Sequence, residues 1–330
     1  MFTVHSVGAA ILFCTITMIG WGSWANAQKL AGRTNWSFEL FYWDYVIGIF
    51  LFSILFMFTL GSHGSSGMDA VSNLQQASRR SMLSAVFSGA LFNVANILLV
   101  VAIDAAGLAI AFPVGIGLAL VLGTVLTYIE EPKGNPVTLF LGVGFVVVAI
   151  VLSALAHAKL PRSKGSSRKG IIFAILAGCL MGFFYPQLIR SISPSFNTTP
   201  ILPGALTPYT ALFFCAVGVL VSNIVVNTIF MKAGGHTYAE YFAGTAKVHL
   251  LGMLGGLIWL IALTFNVIAS GVAGPAISYG LGQGATLVAA IWGVVVWREF
   301  SAAPQGTMRL IALMFLGYVL GLTLIGLATV

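Results

Sequence analysis

Long apolar runs recur from one end of the chain to the other, separated by short polar segments. A helix that crosses a membrane needs about 20 mostly apolar residues, and the runs have this length. A transmembrane barrel would show short segments of alternating polarity, so the pattern favours an all-α integral membrane protein. We predict ten transmembrane helices, over residues 6–26, 38–60, 82–103, 106–129, 136–157, 170–190, 207–231, 247–267, 272–297 and 307–329.

Composition agrees with this pattern and excludes several functions. Of the 330 residues, 59% are hydrophobic and 7% are charged, whereas about 25% of the residues in a soluble domain are charged. The three cysteines fall within predicted spans and lack the spacing of metal ligands, so we expect neither disulfides nor a metal site. The sequence contains no P-loop, H-E-x-x-H or G-x-S-x-G motif. We therefore expect no enzyme activity and no cofactor.

The net charge of +7 comes from lysines and arginines in the short loops between spans. Eleven of them fall on one side of the ten-span topology and four on the other. Positive charge concentrates on the cytoplasmic side of membrane proteins. We therefore predict a multi-pass protein of the inner (plasma) membrane with both termini extracytoplasmic, and no nucleic-acid partner.

A basic segment rich in serine and glycine divides the ten spans into two sets of five. We predict a first half over residues 1–158, a cytoplasmic linker over 159–169 and a second half over 170–330. Because each half has an odd number of spans, the second half enters the membrane in the opposite sense, as in inverted-repeat transporters. Weak internal similarity between residues 88–107 and 255–274 supports a 5+5 inverted repeat.

Asp44 interrupts an otherwise apolar span in the stretch YWDYVIG. A carboxylate near the middle of a bilayer costs about 2.5–3.5 kcal/mol, so we expect it there to face the interior of the bundle. It is a candidate proton acceptor for coupled transport, and the alternative is a structural aspartate bonded to backbone or to a tyrosine. We expect His157 and His249, at span ends, to lie at the membrane interface.

Buried amides are candidates for solute binding. Asn93 and Asn96 share one helix face, as do Asn223 and Asn227. Such amides either hold helices together or bind solute. For the first pair both interpretations stay open, and for the second we favour helix packing.

Two aromatic span ends at corresponding places in the two halves, GWGSWANAQ in the first span and GFFYPQ in the sixth, suggest interrupted helices, which often mark a transporter binding site. Pro113 could also break the fourth span, and SYGLGQG in the ninth places Ser278 and Gln283 among glycines. An interfacial aromatic belt is the alternative for the tryptophans. These segments add six candidate solute-binding residues: Trp24, Asn26, Tyr185, Gln187, Ser278 and Gln283.

Several stretches resemble one transporter family. GSWAN is similar to its Gly-Thr-Trp-Pro-Ala motif, although Ala25 replaces the proline, and YWDYVIG is similar to its Tyr-Leu-Asp-Tyr stretch. Residues 89–128 match without gaps, and IWGVVVWREF resembles Phe-Trp-Gly-x-Leu-Leu-Phe-Gly-Glu-Tyr, which adds Trp292 as a solute-binding candidate. The chain thus resembles the drug/metabolite transporter superfamily, and its ureide permease family in particular.

The resemblance implies proton-coupled import of nucleobases or of ureides such as allantoin. Sugar uptake is the alternative, because bacterial glucose/ribose and rhamnose uptake families share the architecture. A metabolite exporter and a passive channel also remain open. We expect a small-molecule solute, a proton as coupling ion, and a monomer or homodimer in the bilayer.

Overall fold

The computed structural model describes residues 1–160, 168–301 and 303–329, except for the side chains of residues 108 and 109. Ten segments in this part of the chain are helical and are long and apolar enough to cross a membrane: Val7–Gly32, Phe38–Phe58, Arg79–Ala106, Ile110–Glu130, Pro136–His157, Arg168–Ile189, Pro208–Ala233, Ala246–Ala273, Pro275–Val296 and Thr307–Leu327. They confirm the ten predicted spans. Most of the predicted linker, residues 161–167, lies outside the described residues.

The helices are α1 (Val7–Ser23), α2 (Ala25–Gly32), α3 (Phe38–Phe58), α4 (Ala70–Gln76), α5 (Arg79–Ala106), α6 (Leu108–Glu130), α7 (Pro136–His157), α8 (Arg168–Ile189), α9 (Pro208–Ala233), α10 (Tyr238–Phe242), α11 (Ala246–Ala273), α12 (Pro275–Gly282), α13 (Ala285–Ile291), a π-helical turn (Trp292–Val296) and α14 (Thr307–Leu327). Polar caps fix several starts. The side chains of Asp69, Ser78, Asn135 and Thr237 accept hydrogen bonds from backbone N–H groups that would otherwise be unpaired.

Only some of the expected interruptions occur. The first span breaks at Trp24, between α1 and α2; the ninth also breaks, between α12 and α13, which the sequence did not indicate. The sixth span, by contrast, runs through Pro186, and the fourth runs through Pro113. The prediction of breaks at these two prolines is wrong, because a proline removes only one helical hydrogen bond and neighbouring helices in a membrane bundle can tolerate that loss.

Helix packing exchanges partners between the two halves. The third span, α5, packs on α8 and α9, whereas the eighth, α11, packs on α1 and α3; the fifth and tenth, α7 and α14, pack on each other. Close approach depends on equivalent glycines. A Cβ on Gly89 would overlap the carbonyl oxygen of Cys215 in α9, and one on Gly256 would overlap that of Tyr45 in α3. An inverted repeat predicts this kind of exchange.

Two further glycines turn the chain at matching places. Gly107 follows the 28-residue helix α5 with φ 81°, and Gly274 follows the 28-residue helix α11 with φ 91°. Each then begins the next helix, and both positions need a residue that tolerates positive φ. The two glycines are the last residues of the internal similarity between 88–107 and 255–274.

Candidate functional site

Asp44 lies inside the bundle, between α3, α10 and α11. The residue is only 2% exposed. Its Oδ1 accepts a hydrogen bond of 2.6 Å from the Tyr241 hydroxyl, and both carboxylate oxygens lie 2.9 Å from His249 Nδ1. Gly252, one turn after His249, allows α11 to pack directly on the Asp44 Cβ. The carboxylate is therefore paired and shielded from lipid.

The histidine partner was not apparent from the sequence. His249 lies in the first turn of α11 and its side chain is 21% exposed, as expected for a span end. The prediction that it is merely interfacial is incomplete, because it also pairs with Asp44, 205 residues away. Trp36 and Tyr241 flank its imidazole, with ring centroids 5.5 and 5.0 Å away. Only the packing of α11 on α3 brings these groups together.

Tyr241 is the third member of this cluster, and no sequence signal indicated it. It lies in α10, a five-residue helix in the connection between α9 and α11. Burial and the neighbouring Asp44 carboxylate raise the pKa of the Tyr241 hydroxyl. The hydroxyl therefore stays protonated and acts as the hydrogen-bond donor to Asp44.

The cluster lies toward one end of the bundle. Asp44 is the seventh residue of α3, about 9 Å along the helix axis from its start. His249 is the fourth residue of α11. We call this end, which also carries Lys29, the Lys29 face. Six residues of α3 precede Asp44, so it lies about six residues into the second span, as the sequence predicts, and nearer the Lys29 face than the middle of the helix.

An aromatic centre, formed by Trp24, Tyr45, Phe92 and Trp259, lies deeper. Phe92 and Trp259 stack with ring centroids 4.1 Å apart. Each is the fourteenth residue of a 28-residue helix, so the pair joins the midpoints of α5 and α11. The Tyr45 ring packs between Trp24, at 4.9 Å, and Trp259, at 6.4 Å. Trp24 thus packs against the Tyr45 ring inside the bundle.

The two predicted amides next to this centre differ. Asn96 donates from Nδ2 to the Tyr42 hydroxyl at 3.2 Å, so it joins α5 to α3. Asn93 is fully buried, and neither of its amide atoms has a hydrogen-bond partner among the described residues. The same holds for the hydroxyl of Tyr45. A buried polar group left unpaired costs about 1–3 kcal/mol, so these groups are the better candidates to meet a solute.

In the second predicted amide pair, too, one amide has a hydrogen-bond partner and the other has none among the described residues. Asn227 donates to the backbone oxygen of Glu39 at 3.0 Å and so joins α9 to α3, as expected for helix packing. Asn223 is fully buried, and its amide finds no partner within the described part of the chain.

Tyr185, Ser278 and Gln283 lie on other elements. The Tyr185 ring is 4.8 Å from the Tyr279 ring, and its buried hydroxyl is unpaired within the ranges that the structure describes. Ser278, one residue before Tyr279, lies 3.7 Å from the thiol of Cys14. Gln283 forms the turn between α12 and α13, where its backbone oxygen accepts from Thr286.

Asn26 and Trp292 line a cavity of about 260 Å³ toward the Lys29 face. Asn26 Oδ1 accepts from Trp297 Nε1 at 2.7 Å, and Trp292 Nε1 donates to Ser23 at 2.9 Å. An ion pair of 2.6 Å between Lys29 and Glu299 forms part of the wall. Both predicted residues therefore line a cavity, and this cavity is separate from the aromatic centre.

Gln187 lies toward the opposite end of the bundle, which we call the Arg190 face. Its amide donates to the Ser84 hydroxyl at 2.8 Å. It lines a second cavity, of about 240 Å³, whose wall includes an ion pair between Arg190 and Glu130. The nine predicted solute-binding residues are thus spread over several places along the bundle.

Comparison with known proteins identifies similar transporters. Residues 41–169 match the family model "Ureide permease". Ureide permease 1 of Arabidopsis thaliana is 20% identical over 98% of this chain and 98% of its own length, and Ureide permease 2 of the same plant is 22% identical over 97% and 96%. A Listeria monocytogenes protein provisionally named a sugar uptake protein is 22% identical over 70% of this chain and 74% of its own. The matched segment contains Asp44, Asn93 and Asn96, and the similarity extends through both halves. The chain, with its ten membrane spans, is therefore similar to the ureide permease family of transporters through both of its halves.

Proposed function

We propose that this transporter imports a small polar solute together with a proton, and that the solute is a nucleobase or a purine-derived ureide. The observation that carries the proposal is the buried pair of Asp44 and His249. A carboxylate and an imidazole in contact share one proton at zero net charge, and after that proton leaves, the remaining Asp44 carboxylate can still accept hydrogen bonds from neutral His249 and from the Tyr241 hydroxyl. The partly exposed His249 provides a route for that proton to and from the Lys29 face.

The same two helices, α3 and α11, carry two of the four rings of the aromatic centre. Tyr45 follows Asp44 directly in α3, and Trp259 lies ten residues after His249 in α11, about 15 Å along the axis. A change in protonation that alters the contact between α3 and α11 would therefore also alter the spacing of Tyr45 and Trp259. This shared support gives a physical means of coupling the proton to the solute.

Transport by purified protein in proteoliposomes tests the proposal. An inward-directed proton gradient should drive accumulation of radiolabelled uracil or allantoin, and a protonophore should abolish this accumulation. An outward-directed proton gradient is the control. Asp44→Asn keeps the shape of the side chain but removes the proton site. This variant should lose accumulation while exchange of labelled for unlabelled solute survives.

The matched control is Asp104→Asn, because Asp104 is exposed near the end of α5. It should accumulate solute as the wild type does. Gradient-driven accumulation that persists in Asp44→Asn would remove Asp44 from the mechanism. Flux without accumulation in the wild type would instead indicate a channel, and accumulation only in the opposite direction would indicate an exporter.

Sugar uptake is the second candidate, favoured by the similarity to the Listeria protein. An aromatic ring beside hydrogen-bonding groups also suits a sugar, which has an apolar face and polar edges. The same assay with labelled sugars separates the two classes. Accumulation of radiolabelled glucose, ribose or rhamnose that excess uracil or allantoin does not inhibit would establish a sugar porter.

A further inference from the structure

A closed circuit of contacts surrounds one face of α5 at the middle of the bundle. Phe92 stacks on Trp259, whose ring contacts Tyr45; the Tyr45 ring stacks on Tyr42 at 5.2 Å, and the Tyr42 hydroxyl bonds to Asn96. Asn96 lies one helical turn after Phe92, which returns the circuit to α5. The circuit joins α3, α5 and α11.

Asn93 follows Phe92 in α5 and lies at one edge of this face. At 100° per residue, the three side chains of Phe92, Asn93 and Asn96 fall within an arc of about 100°. Asn93 is fully buried, yet its Nδ2 and Oδ1 have no partner in the part of the chain that the structure describes. Tyr45, on the facing helix, has a buried and equally unpaired hydroxyl. Three hydrogen-bonding groups are therefore available beside a stacked aromatic pair.

These groups select a particular ligand chemistry. A carboxamide has a donor and an acceptor side by side, and it pairs best with a group that offers an acceptor and a donor with the same spacing. An N–H next to a C=O in a planar ring has this geometry. Lactam, imide and cyclic ureide rings all carry such an edge, and their flat faces can stack on Phe92 or Trp259.

We propose that Asn93 binds the solute through an adjacent N–H and C=O on a planar ring, with the Tyr45 hydroxyl as a further contact and the Phe92–Trp259 pair as the stacking surface. The inference rests on the proposed function and narrows its substrate class. Asn96, whose amide already bonds to Tyr42, positions the aromatic ring rather than the solute.

A matched pair of ligands tests this role. Uracil has the required edge, whereas 1,3-dimethyluracil keeps the flat ring but has no N–H. Isothermal titration of the purified wild type should show about tenfold tighter binding of uracil, because the methylated ring has no N–H to donate to Asn93 Oδ1 and leaves that buried acceptor unpaired. Asn93→Leu should abolish this preference by weakening uracil binding alone.

Two further variants distinguish a binding role from a structural one. Asn93→Asp has the same shape but lacks the amide donor, and it should also lose the preference if Asn93→Leu fails to fold. Asn227→Leu makes the same change at a buried amide that bonds to the Glu39 backbone, and it should retain the preference. An unchanged ratio in a folded Asn93 variant, or a wild type that does not prefer uracil, would overturn the proposal.

The outcomes separate this inference from the proposed function. If proton-driven uptake of uracil is present but Asn93 variants keep the preference, only the inference fails. If Asn93 variants lose the preference while Asp44→Asn still accumulates uracil, the proposed role of Asp44 is rejected and the proposed role of Asn93 is kept. If only sugars bind, both the substrate class and this inference fail.

A second feature, independent of the solute, is a pair of ion pairs at corresponding places. Lys29, in the first span, pairs with Glu299, just after the ninth, at the Lys29 face; Arg190, just after the sixth span, pairs with Glu130, in the fourth, at the Arg190 face. In a 5+5 repeat the first span corresponds to the sixth and the ninth to the fourth, so the two ion pairs are at equivalent places in the two halves. Each ion pair also forms part of the wall of the cavity on its own side.

We infer that the two ion pairs are opposing gates, of which one must open when the transporter exposes its solute site to that face. Loss of one pair should therefore shift the population toward the state open at that face. Because exposed ion pairs are weak, the shift should be at most about fivefold.

Cysteine labelling with a membrane-impermeant maleimide measures this shift. In a background without Cys14, Cys179 and Cys215, Ala290→Cys reports on the cavity at the Lys29 face and Leu180→Cys on the cavity at the Arg190 face. Lys29→Met should speed labelling of the first reporter and slow labelling of the second. Arg190→Met should do the reverse.

The double variant Lys29→Glu with Glu299→Lys, which restores the pair, should return both labelling rates to those of the wild type. Lys247→Met removes an exposed lysine from the same face and should change neither rate. Rates that rise together at both reporters, or that do not change, would show that the ion pairs do not gate.

Discussion

Gly252 gives the most direct test of the contact between α3 and α11. A Cβ at this position would overlap the Cβ of Asp44 and lie only 3.1 Å from the backbone oxygen of Phe41. Backbone atoms cannot move aside as the end of a flexible side chain can. Gly252→Ala should therefore push the two helices apart at the level of Asp44.

The expected cost follows from this geometry. Insertion of one carbon into a well-packed contact destabilises a protein by about 1–3 kcal/mol. Helix propensity opposes this by about 1 kcal/mol at most, because alanine favours a helix more than glycine does. The displacement should also lengthen the 2.9 Å contacts between His249 and Asp44 beyond hydrogen-bonding distance.

Two measurements check the prediction. Thermal unfolding of purified Gly252→Ala should occur at a lower temperature than in the wild type, and proteoliposomes should show reduced accumulation under a proton gradient. Gly144→Ala is the matched control, because no atom lies within 4 Å of the added Cβ in α7. It should be as stable as the wild type or slightly more stable, with full transport.

Wild-type stability together with wild-type accumulation in Gly252→Ala would refute the reasoning. Reduced stability with full accumulation would keep the packing argument and reject the link between the Asp44–His249 contact and coupling.

Three further changes have defined outcomes. Tyr241→Phe removes the hydroxyl that donates to Asp44 at 2.6 Å but keeps the ring packing, so proton-driven accumulation should fall while the protein remains folded; uptake equal to that of the wild type would contradict this. Asn73→Leu removes a buried amide that donates to the Ala205 backbone and accepts from Thr207 N–H, so the free energy of unfolding should fall by about 1–3 kcal/mol, as followed by thermal denaturation. Asp69→Ala removes the cap of α4 and should cost about 1 kcal/mol at pH 7. Hydrogen bonds from the side chain and backbone N–H of Ser72 lower the pKa of Asp69, so its stabilisation is present above the unfolded-state pKa of about 3.9 and is lost as the pH falls through the folded value; unfolding temperatures of variant and wild type should converge below about pH 4.

Some candidate residues could be identified from local sequence, and others could not. Asp44 and Asn93 stand out because a polar side chain in a long apolar run is costly in lipid and is expected to face the interior of the bundle. His249 and Tyr241 lie in or near loops, where histidine and tyrosine are ordinary. Nothing local distinguishes them from interfacial residues until α11 packs on α3.

The same contrast applies to Asn93 and Asn96. Three residues apart on one helix, they are equivalent in the sequence pattern. The structure separates them because the hydroxyl of Tyr42 reaches one and not the other. Likewise, aromatic and proline-rich span ends look alike in sequence, but the first span breaks at Trp24 while the sixth continues through Pro186.

The sequence by itself determined the ten spans, because the length and polarity of each segment are local properties that the bilayer thickness constrains directly. It also indicated which buried polar residues to consider. The tertiary structure alone decided the partners: Asp44 with His249, Phe92 with Trp259, Lys29 with Glu299. These contacts join residues 167 or more positions apart, and they depend on how helices of nearly uniform apolar character pack through glycine and aromatic side chains. Hydropathy does not encode that packing, because in lipid every helix face is already apolar.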